Sequence, residues 1–403
     1  MVTENQYFSY NQGELPPGCQ YCVRGEKLVL FVTGICPRRC FFCPVSDQKY
    51  GKDARFANER KIETDEDILT EAQLMRAKGA GITGGDPLAK LERTVHYIRL
   101  LKENYGKEFH IHLYTSLNLV TAETLQQLAE AGLDEIRFHL DLDSPALWDR
   151  VRLAQQFPWQ VGVELPVIPT KEAQLKKVID FIPNQVTFLT LNELETADNS
   201  HSSLVQMGFQ TKDSISYAIK GSLETGWRLL DYVEEKKYPL QVHFCTARLK
   251  DAIQLGNRLK REAQGMKKPF DMVSKEGLLT RGALYLPDLV PGFGYRKKLE
   301  ESNKAAYVET LAPVIEKLQK ELHFKEKDFY LDLQKPRILI AASRIAPLKK
   351  KFRQWGLFRQ SSRNTLPRTS WRLKLSCCKL VSRSYTQRFK CCFTFICRLT
   401  RVY

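Results

Sequence analysis

The stretch LVLFVTGICPRRCFFCP, residues 28–44, carries the strongest structural signal in this chain of 403 residues. Its first half, LVLFVTG, is an apolar run that ends in glycine, which predicts a buried β-strand over residues 28–34. Directly after the strand come Cys36, Cys40 and Cys43, with the spacing C-x3-C-x2-C. Because iron–sulfur clusters usually have four cysteine ligands, three cysteines predict a [4Fe–4S] cluster with one iron that lacks a protein ligand. An open metal position is typical of catalytic rather than structural sites.

A zinc site is the main alternative for these three cysteines. Structural zinc sites are usually built from C-x2-C pairs and need four ligands in all. A triad with one x3 and one x2 spacing, on a loop that follows a strand, is unusual for zinc. We therefore interpret the triad as the ligands of an iron–sulfur cluster.

Strands and helices alternate beyond the cysteine loop. A helix is expected from Asp65 to Lys78 with Thr64 as its N-cap, and another is expected to open at Thr121. Short runs that are apolar on both faces are typical of parallel strands buried between helices. The sequence therefore predicts an α/β fold, a partial or complete (β/α) TIM-type barrel with N- and C-terminal extensions. The strands expected after the first are 80–85, 109–116, 133–140, 160–168 and 185–191.

Glycines and polar residues lie where these strands end. Gly84, Gly85 and Asp86 follow the second strand, Ser116 ends the third, and His139 lies near the end of the fourth. In barrels, the carboxyl ends of the strands meet at one face, and the chemistry takes place there. We therefore expect these residues to surround the same site as the cysteine loop.

The composition describes a soluble globular protein, with a mean hydropathy of −0.36. No apolar run approaches the ~20 residues of a membrane span. The N-terminus, MVTENQYFSY, lacks the basic and apolar regions of a secretory signal. We therefore expect a cytoplasmic protein without a membrane partner. In a reducing compartment, clustered cysteines more often bind metal than form disulfides.

The formal net charge of +16 is distributed very unevenly. Residues 333–403 contain 18 Lys and Arg and no Asp or Glu, so the remaining chain has 44 basic and 46 acidic residues. This tail is either a nucleic-acid arm, a disordered segment or an out-of-frame end, and we favour the last two. The expected domains are an N-terminal extension with C-x2-C (1–27), a barrel core (28–200), a C-terminal extension that packs on the barrel (201–344) and the basic tail (345–403).

Cys19 and Cys22 form a second cysteine motif, C-x2-C. One such pair cannot complete a tetrahedral metal site. His243 and Cys245 share one face of another expected strand, 240–245, and they are candidates for the remaining ligands of a structural zinc or an auxiliary iron–sulfur cluster. The alternative is a surface pair of free thiols together with a buried Cys245.

Together these motifs resemble those of the radical SAM superfamily. CPRRCFFC matches its CxxxCxΦC signature, with Phe42 at the aromatic position, and GGDP at 84–87 is similar to its Gly-Gly-Glu element. CQYCVRG, FHIHLYTS and GLDEIRFHL resemble, more narrowly, a mainly archaeal set of proteins described as related to pyruvate formate-lyase activating enzyme.

The resemblance implies a barrel of the radical SAM type and a specific chemistry. Cys36, Cys40 and Cys43 would hold the cluster, and the open iron would bind S-adenosylmethionine. An electron from the cluster would cleave the sulfonium C–S bond and release a 5′-deoxyadenosyl radical, which abstracts hydrogen from a substrate. Such an enzyme would be an oxygen-sensitive oxidoreductase or transferase, and it would need an electron donor such as ferredoxin or flavodoxin.

The resemblance also implies roles for individual residues around the cofactor. The backbone near Phe42 would meet the adenine, and Gly84 and Gly85 would let the main chain approach the methionine end. Asp86 would accept a hydrogen bond from the ammonium group. Further candidates are Ser116 and Glu164 as ribose or methionine contacts, and Arg137 and His139 as catalytic residues that would both face the barrel interior.

The substrate has no motif of its own in this sequence. Activation of a glycyl-radical enzyme is the function that the narrower resemblance suggests, and an RNA or a small metabolite are the other substrate classes. A rival interpretation is a non-catalytic metal-binding module that contacts nucleic acid through the tail. Electron transfer without a substrate is a second rival.

Overall fold

Seven parallel strands form the centre of the fold in a computed structural model, which describes residues 4–365. The described chain divides into two compact units between Arg258 and Leu259. The first unit contains one large sheet with helices packed against it, and the second contains a smaller antiparallel sheet.

The large sheet has ten strands, and their bounds follow. They are β1 (Tyr10–Gln12), β2 (Lys27–Phe31), β3 (Phe56–Ala57), β4 (Arg60–Lys61), β5 (Gly79–Thr83), β6 (His110–Ser116), β7 (Glu135–His139), β8 (Gln160–Val167), β9 (Phe188–Glu193) and β10 (Gln241–Cys245). Their order is β1-β10-β9-β8-β7-β6-β5-β2-β3-β4, an open path in which β1, β3 and β4 pair antiparallel at the edges. The predicted α/β fold is thus confirmed, in the form of a partial (β/α) barrel.

Helices connect the parallel strands of the first unit, as the alternating pattern predicted. Their bounds are α1 (Pro17–Val23), α2 (Asp65–Leu74), α3 (Leu91–Tyr105), α4 (Ala122–Ala131), α5 (Glu172–Phe181) and α6 (Ser222–Lys236), while α7 (Gly256–Met266) begins at the end of this unit. Residues Trp148–Gln156, between β7 and β8, form a 3-10 helix instead of an α-helix. Residues Leu249–Leu255 form a π-helical turn that leads into α7.

The core of the first unit lies between the sheet and its helices. Leu30 of β2, Ile82 of β5 and Leu113 of β6 are fully buried there, together with Ile98 of α3. Because successive side chains of a strand point to opposite faces, the alternate residues of these strands face the interior of the barrel. The polar residues of the strands lie at those alternate positions, so they line the interior instead of contacting the helices.

The second unit is an antiparallel sheet with helices on it. Its strands are β11 (Met272–Val273), β12 (Leu279–Tyr285), β13 (Phe329–Asp332), β14 (Arg337–Ile340) and β15 (Phe358–Thr365), in the order β11-β12-β14-β13 with β15 paired to β12. The helices are α8 (Tyr295–Glu301), α9 (Lys304–Leu322), α10 (Ala342–Ile345) and α11 (Lys349–Gln354). Leu311 and Leu318 of α9 pack with Ile338 and Ile340 of β14 in its core.

Part of the predicted basic tail has regular structure. Residues 349–365 form α11 and β15, and Phe352 is 0% exposed in the core of the second unit, which explains why this stretch folds. Residues 366–403, and with them most of the predicted tail, lie outside the described residues. Within residues 4–365, no helix is long and apolar enough to cross a membrane.

Candidate active site

As predicted, Cys36, Cys40 and Cys43 lie on a loop at the carboxyl end of β2. We call this connection between β2 and β3, residues 32–55, the cysteine loop. The loop is closed at its base, because the Gly34 N–H donates to the Lys52 carbonyl at 2.8 Å and the Gly51 N–H donates back to the Gly34 carbonyl at 2.9 Å. The thiols are half-buried. The C-x3-C-x2-C motif is therefore presented at the face of the sheet where barrel enzymes place their chemistry.

The thiols lie close enough to influence one another. Burial raises the pKa of Cys36 to about 11, and ionised Cys40 and Cys43 would raise it further. Burial also raises the pKa values of Cys40 and Cys43. The Arg38 N–H opposes this at Cys36, where it donates to the sulfur at 3.4 Å. These thiols are therefore protonated at neutral pH, and their protons must leave when a metal binds.

This donor set fits a cluster better than a single ion. Among residues 4–365, no group of three His, Cys, Asp or Glu side chains is arranged to hold one metal ion. In a cluster each thiolate binds a different iron, so its cysteines do not converge on a single point. Three neighbouring, half-buried thiols on one loop match that requirement.

The glycine pair after β5 is tied to the base of the cysteine loop. The Gly85 N–H donates to the Thr33 carbonyl at 2.7 Å, and the Asp86 N–H donates to the Ile35 carbonyl at 2.9 Å. A Cβ atom at Gly84 would lie 2.5 Å from the Thr33 oxygen, and one at Gly85 would lie 2.5 Å from the Ile35 oxygen. Only glycine permits this approach, so the pair brings the β5 end against the loop.

Asp86 is an internal anchor in this structure. Its side chain is 1% exposed and accepts four hydrogen bonds, from the Thr115 hydroxyl (2.8 Å), the Ser116 N–H (3.1 Å), the Ser116 hydroxyl (2.6 Å) and the Leu88 N–H (3.1 Å). Burial raises the pKa of Asp86 although these bonds lower it. Since a carboxylate has about four acceptor positions, direct contact with a cofactor would require one of these bonds to break. The Ser116 hydroxyl, which was predicted as a cofactor contact, already donates to Asp86, so without breaking that bond it could meet a cofactor only as a hydrogen-bond acceptor.

A cavity of about 330 Å³ adjoins Cys40. Phe42 and His139 lie on its wall with ring centroids 5.8 Å apart. Burial lowers the pKa of His139 to about 3, so this imidazole is neutral at physiological pH. The volume lies within the range of small-molecule sites, ~300–1,000 Å³. Further residues that line the cavity are Arg38, Asn118, Asp141, Asp143, Ile168 and Lys171.

A second cavity of about 470 Å³ lies elsewhere in the first unit. Asn184 and Gln185 line it before β9, and Tyr238 and Pro239 line it before β10. These positions are at the amino ends of the strands, which support stability in barrels. We therefore regard the smaller cavity beside Cys40 as the candidate active site.

Arg137, predicted as a catalytic candidate, faces the barrel interior as expected but lies far inside it. The side chain is 2% exposed and bonds to Glu135 at 2.5 Å and Glu164 at 2.7 Å. Glu164 also accepts from Asn192 at 2.8 Å. Burial alone would raise the pKa of Glu135, but the charge of Arg137 is the first of the interactions that hold it below its usual range. Arg137 and Glu164 thus belong to an ion network in the barrel interior, and neither side chain lines the cavity beside Cys40.

The predicted second metal site also lies in the interior. Arg137 donates to the Cys19 sulfur at 3.4 Å, and burial raises the pKa of Cys19 to about 12. Burial raises the pKa values of Cys22 and Cys245 as well, while it lowers that of His243 to about 3. No three of these side chains are arranged to hold one metal ion within residues 4–365, so the structure does not assemble the predicted zinc site, and the auxiliary cluster stays a prediction.

One contact of the cysteine loop has no counterpart in the sequence-based predictions. Residues 198–203, which we call the strap, follow β9 and hydrogen-bond to the loop. Polar residues in the sequence DNSHSS give no recognisable signal of this contact. The partners are more than 150 residues apart in the chain, which is why local patterns do not reveal them.

A sequence model described as the Radical SAM superfamily matches residues 30–158. The "Putative glycyl-radical enzyme activating enzyme MJ0021" of Methanocaldococcus jannaschii is 42% identical over 288 residues, which cover 69% of this chain and 76% of that protein. Biotin synthase of Shewanella amazonensis is 36% identical over 124 residues, which cover 30% of this chain and 33% of that protein.

Two solved structures are among those similar to this chain. Methylornithine synthase has a TM-score of 0.36 and 16% identity, with 54% of this chain and 70% of that chain covered. Coproporphyrinogen III oxidase of Escherichia coli has a TM-score of 0.34 and 9% identity, with 86% of this chain and 94% of that chain covered. The sequence match and the shared length of the Methanocaldococcus protein establish that this chain is an enzyme of the radical SAM superfamily.

Proposed function

We propose that this enzyme holds a [4Fe–4S] cluster on Cys36, Cys40 and Cys43 and cleaves S-adenosylmethionine reductively. The observation that carries this proposal is the position of the three neighbouring thiols at the carboxyl end of β2, beside a cavity of about 330 Å³. A loop with three cysteine donors leaves room for a non-protein ligand on the fourth iron. When bound, such a cluster supplies the electron that breaks the sulfonium C–S bond.

The protein's own contribution is placement and electrostatics. Arg38 ion-pairs with Asp141 at 3.3 Å and donates to the His139 carbonyl at 3.1 Å, so its guanidinium is held beside Cys40, whose pKa it lowers against the effect of burial. Neutral His139 can donate or accept one hydrogen bond in the cavity without adding charge. Gly84 and Gly85 expose main chain at the same face, which suits close contact with a polar ligand.

The substrate that we propose is a partner polypeptide, in which the enzyme generates a glycyl radical. The name of the Methanocaldococcus relative, a glycyl-radical enzyme activating enzyme, supports this choice. RNA or a small metabolite are the alternative substrates, and the long connection between β9 and α6 is compatible with either. We further propose a cytoplasmic, oxygen-sensitive enzyme that receives its electron from a ferredoxin or a flavodoxin.

The test is anaerobic reconstitution of the full chain with iron and sulfide, followed by dithionite and S-adenosylmethionine. We expect a brown protein that releases 5′-deoxyadenosine. Cys40→Ala should lose both the colour and the product, because one of three ligands is missing. Cys22→Ala is the matched control, since it removes a thiol outside the triad, and it should keep both. Product formation by Cys40→Ala at the parental rate would refute the assignment.

A further inference from the structure

The strap, residues 198–203, is the part of the molecule near the cysteine loop to which the proposed function gives no role. It belongs to the connection between β9 and α6, where residues 194–221 contain isolated bridges but no helix or strand. A connection of this length without regular structure is usually functional in a compact domain. Its contacts with the cysteine loop indicate what this function is.

The strap binds every second residue of the cysteine loop. The Ser203 N–H donates to the Phe41 carbonyl at 2.7 Å. The Asn199 side-chain amide donates to the Cys43 carbonyl and the Val45 carbonyl, both at 2.9 Å. The strap therefore bonds the main chain two residues before the third cysteine of the motif, at this cysteine, and two residues after it.

The same register continues to Asp47, two residues further along the loop. The Ser200 N–H and hydroxyl both donate to its carboxylate, at 3.0 Å and 2.8 Å. The ring of His201 stacks on the Tyr50 ring, with centroids 3.7 Å apart and an interplanar angle of 16°. These contacts extend the attachment of the loop beyond Val45 to Asp47 and Tyr50.

The strap is itself held in place, so it can restrain the loop. The Asn199 side-chain oxygen accepts from the Ser202 N–H at 2.9 Å, which fixes the direction in which its amide points. Leu204, directly after the strap, is fully buried with Leu194 and Ile219, and the rings of Phe41 and Phe42 pack against this cluster. The strap is thus anchored on one side by apolar packing and on the other by the loop.

We propose that the strap is a clamp that positions Cys43 for the cluster, and that Asn199 is its main positioning residue. The inference rests on the proposed function, because it assigns Cys43 as a ligand. The Asn199 amide holds the Cys43 and Val45 carbonyls, and the Ser203 N–H holds the Phe41 carbonyl, so the backbone on both sides of the Cys43 side chain is restrained. A pre-positioned third ligand costs less conformational entropy on binding than a mobile one.

The first test needs no cluster. Amide hydrogen exchange of residues 36–50 is measured in metal-free parent, Asn199→Ala and Asn199→Asp. We expect about tenfold faster exchange in Asn199→Ala, since both hydrogen bonds from Asn199 to the loop are lost, together with the bond that its oxygen accepts from Ser202. Asn199→Asp keeps the shape but turns a donor into an acceptor, so it should exchange at least as fast. Asn104→Ala is the matched control, because it removes one exposed amide-to-carbonyl bond in α3 and should leave the loop unchanged.

The second test measures loss of iron from anaerobically reconstituted protein to a ferrous chelator. Asn199→Ala and Asn199→Asp should lose iron about tenfold faster than the parent and Asn104→Ala, with melting temperatures that stay close to the control. If both Asn199 variants match the parent in exchange and in iron loss, the clamp is refuted while the cluster stands. If the parent itself binds no iron, the proposed function fails, and with it the clamp's purpose, whatever the exchange shows.

Discussion

The substitution Asp86→Asn tests whether the Asp86 side chain stabilises the fold or contacts the cofactor. Each carboxylate oxygen receives one hydroxyl donor and one backbone donor: Thr115 and the Leu88 N–H at Oδ1, and the hydroxyl and N–H of Ser116 at Oδ2. Asparagine keeps the shape of the side chain, but its NH₂ group replaces one of the two oxygens. The hydroxyl beside that group can rotate and accept from it, whereas the backbone N–H cannot.

The expected loss in free energy of unfolding is about 2–4 kcal/mol. A buried donor without an acceptor costs about 1–3 kcal/mol, and the opposed NH₂ group adds repulsion. Loss of the negative charge does not add to this cost, because burial raises the pKa of Asp86 and the ionised form is already disfavoured. For a unit of this size, the loss corresponds to a melting temperature lower by about 5–10 °C.

The assay is thermal unfolding of the metal-free protein, so that no cofactor contributes. Asp180→Asn is the matched control, since Asp180 also accepts from hydroxyl groups, those of Tyr232 and Tyr238, but on the exposed surface. Exposed substitutions of this kind usually change stability by less than about 0.5 kcal/mol. We therefore expect a clear difference between the two asparagine variants.

The opposite pattern would refute the anchor role. If Asp86→Asn melts together with Asp180→Asn, and only its affinity for S-adenosylmethionine falls after reconstitution, then Asp86 contacts the cofactor as the family motif implies. In that event, the four internal bonds contribute little to folding.

Two further predictions concern the amino end of the barrel. Gly18→Ala should lower the free energy of unfolding by about 1–3 kcal/mol, since its Cβ would lie 2.7 Å from both Arg137 Nη2 and Glu135 Oε1. Urea unfolding checks this, with Gly256→Ala as the control because a Cβ at Gly256 meets open space. Equal unfolding midpoints for the two variants would contradict the prediction. Burial lowers the pKa of Lys27 to about 7, so between pH 7 and 9 the folded state binds fewer protons than the unfolded state and stability rises with pH. Between pH 7 and 9, the free energy of unfolding of the parent should rise by about 2 kcal/mol relative to that of Lys27→Met. A difference between the two proteins that does not change with pH would contradict the assignment.

Local sequence patterns were sufficient to predict the seven parallel strands of the barrel. Thr64 begins α2 as predicted, with a capping box that involves Asp67, and the cysteine loop follows β2 directly. The end of α2 differed, because the helix stops at Leu74 and Arg76 adopts a left-handed conformation with φ of 50°. The start of a helix is marked by capping side chains that are close in sequence. The end of α2 instead depends on how the chain turns toward β5.

Partners that are far apart in sequence could not be predicted. Asp86 meets Ser116, 30 residues away, and Asn199 meets Cys43, 156 residues away. Each residue alone is an ordinary polar side chain whose role depends on what the fold brings beside it. The family motif suggested a cofactor contact for Asp86, and geometry was needed to find the four donors that surround it.

The C-x2-C pair also shows the limit of local patterns, because here the sequence suggested a site that the structure does not assemble. Its spacing suggested a metal, yet α1 brings it to the amino ends of the strands, where Lys27, His110 and Glu135 begin β2, β6 and β7. The Gly18 N–H donates to Glu135 at 2.7 Å, and Arg137 bonds both Glu135 and the Cys19 sulfur. Removing one partner of such a buried network leaves an uncompensated charge, which costs far more than the network contributes. The buried charges at this end therefore hold α1 against the barrel, and the chemistry that we propose lies at the opposite end, where the glycine pair and the strap both contact the cysteine loop.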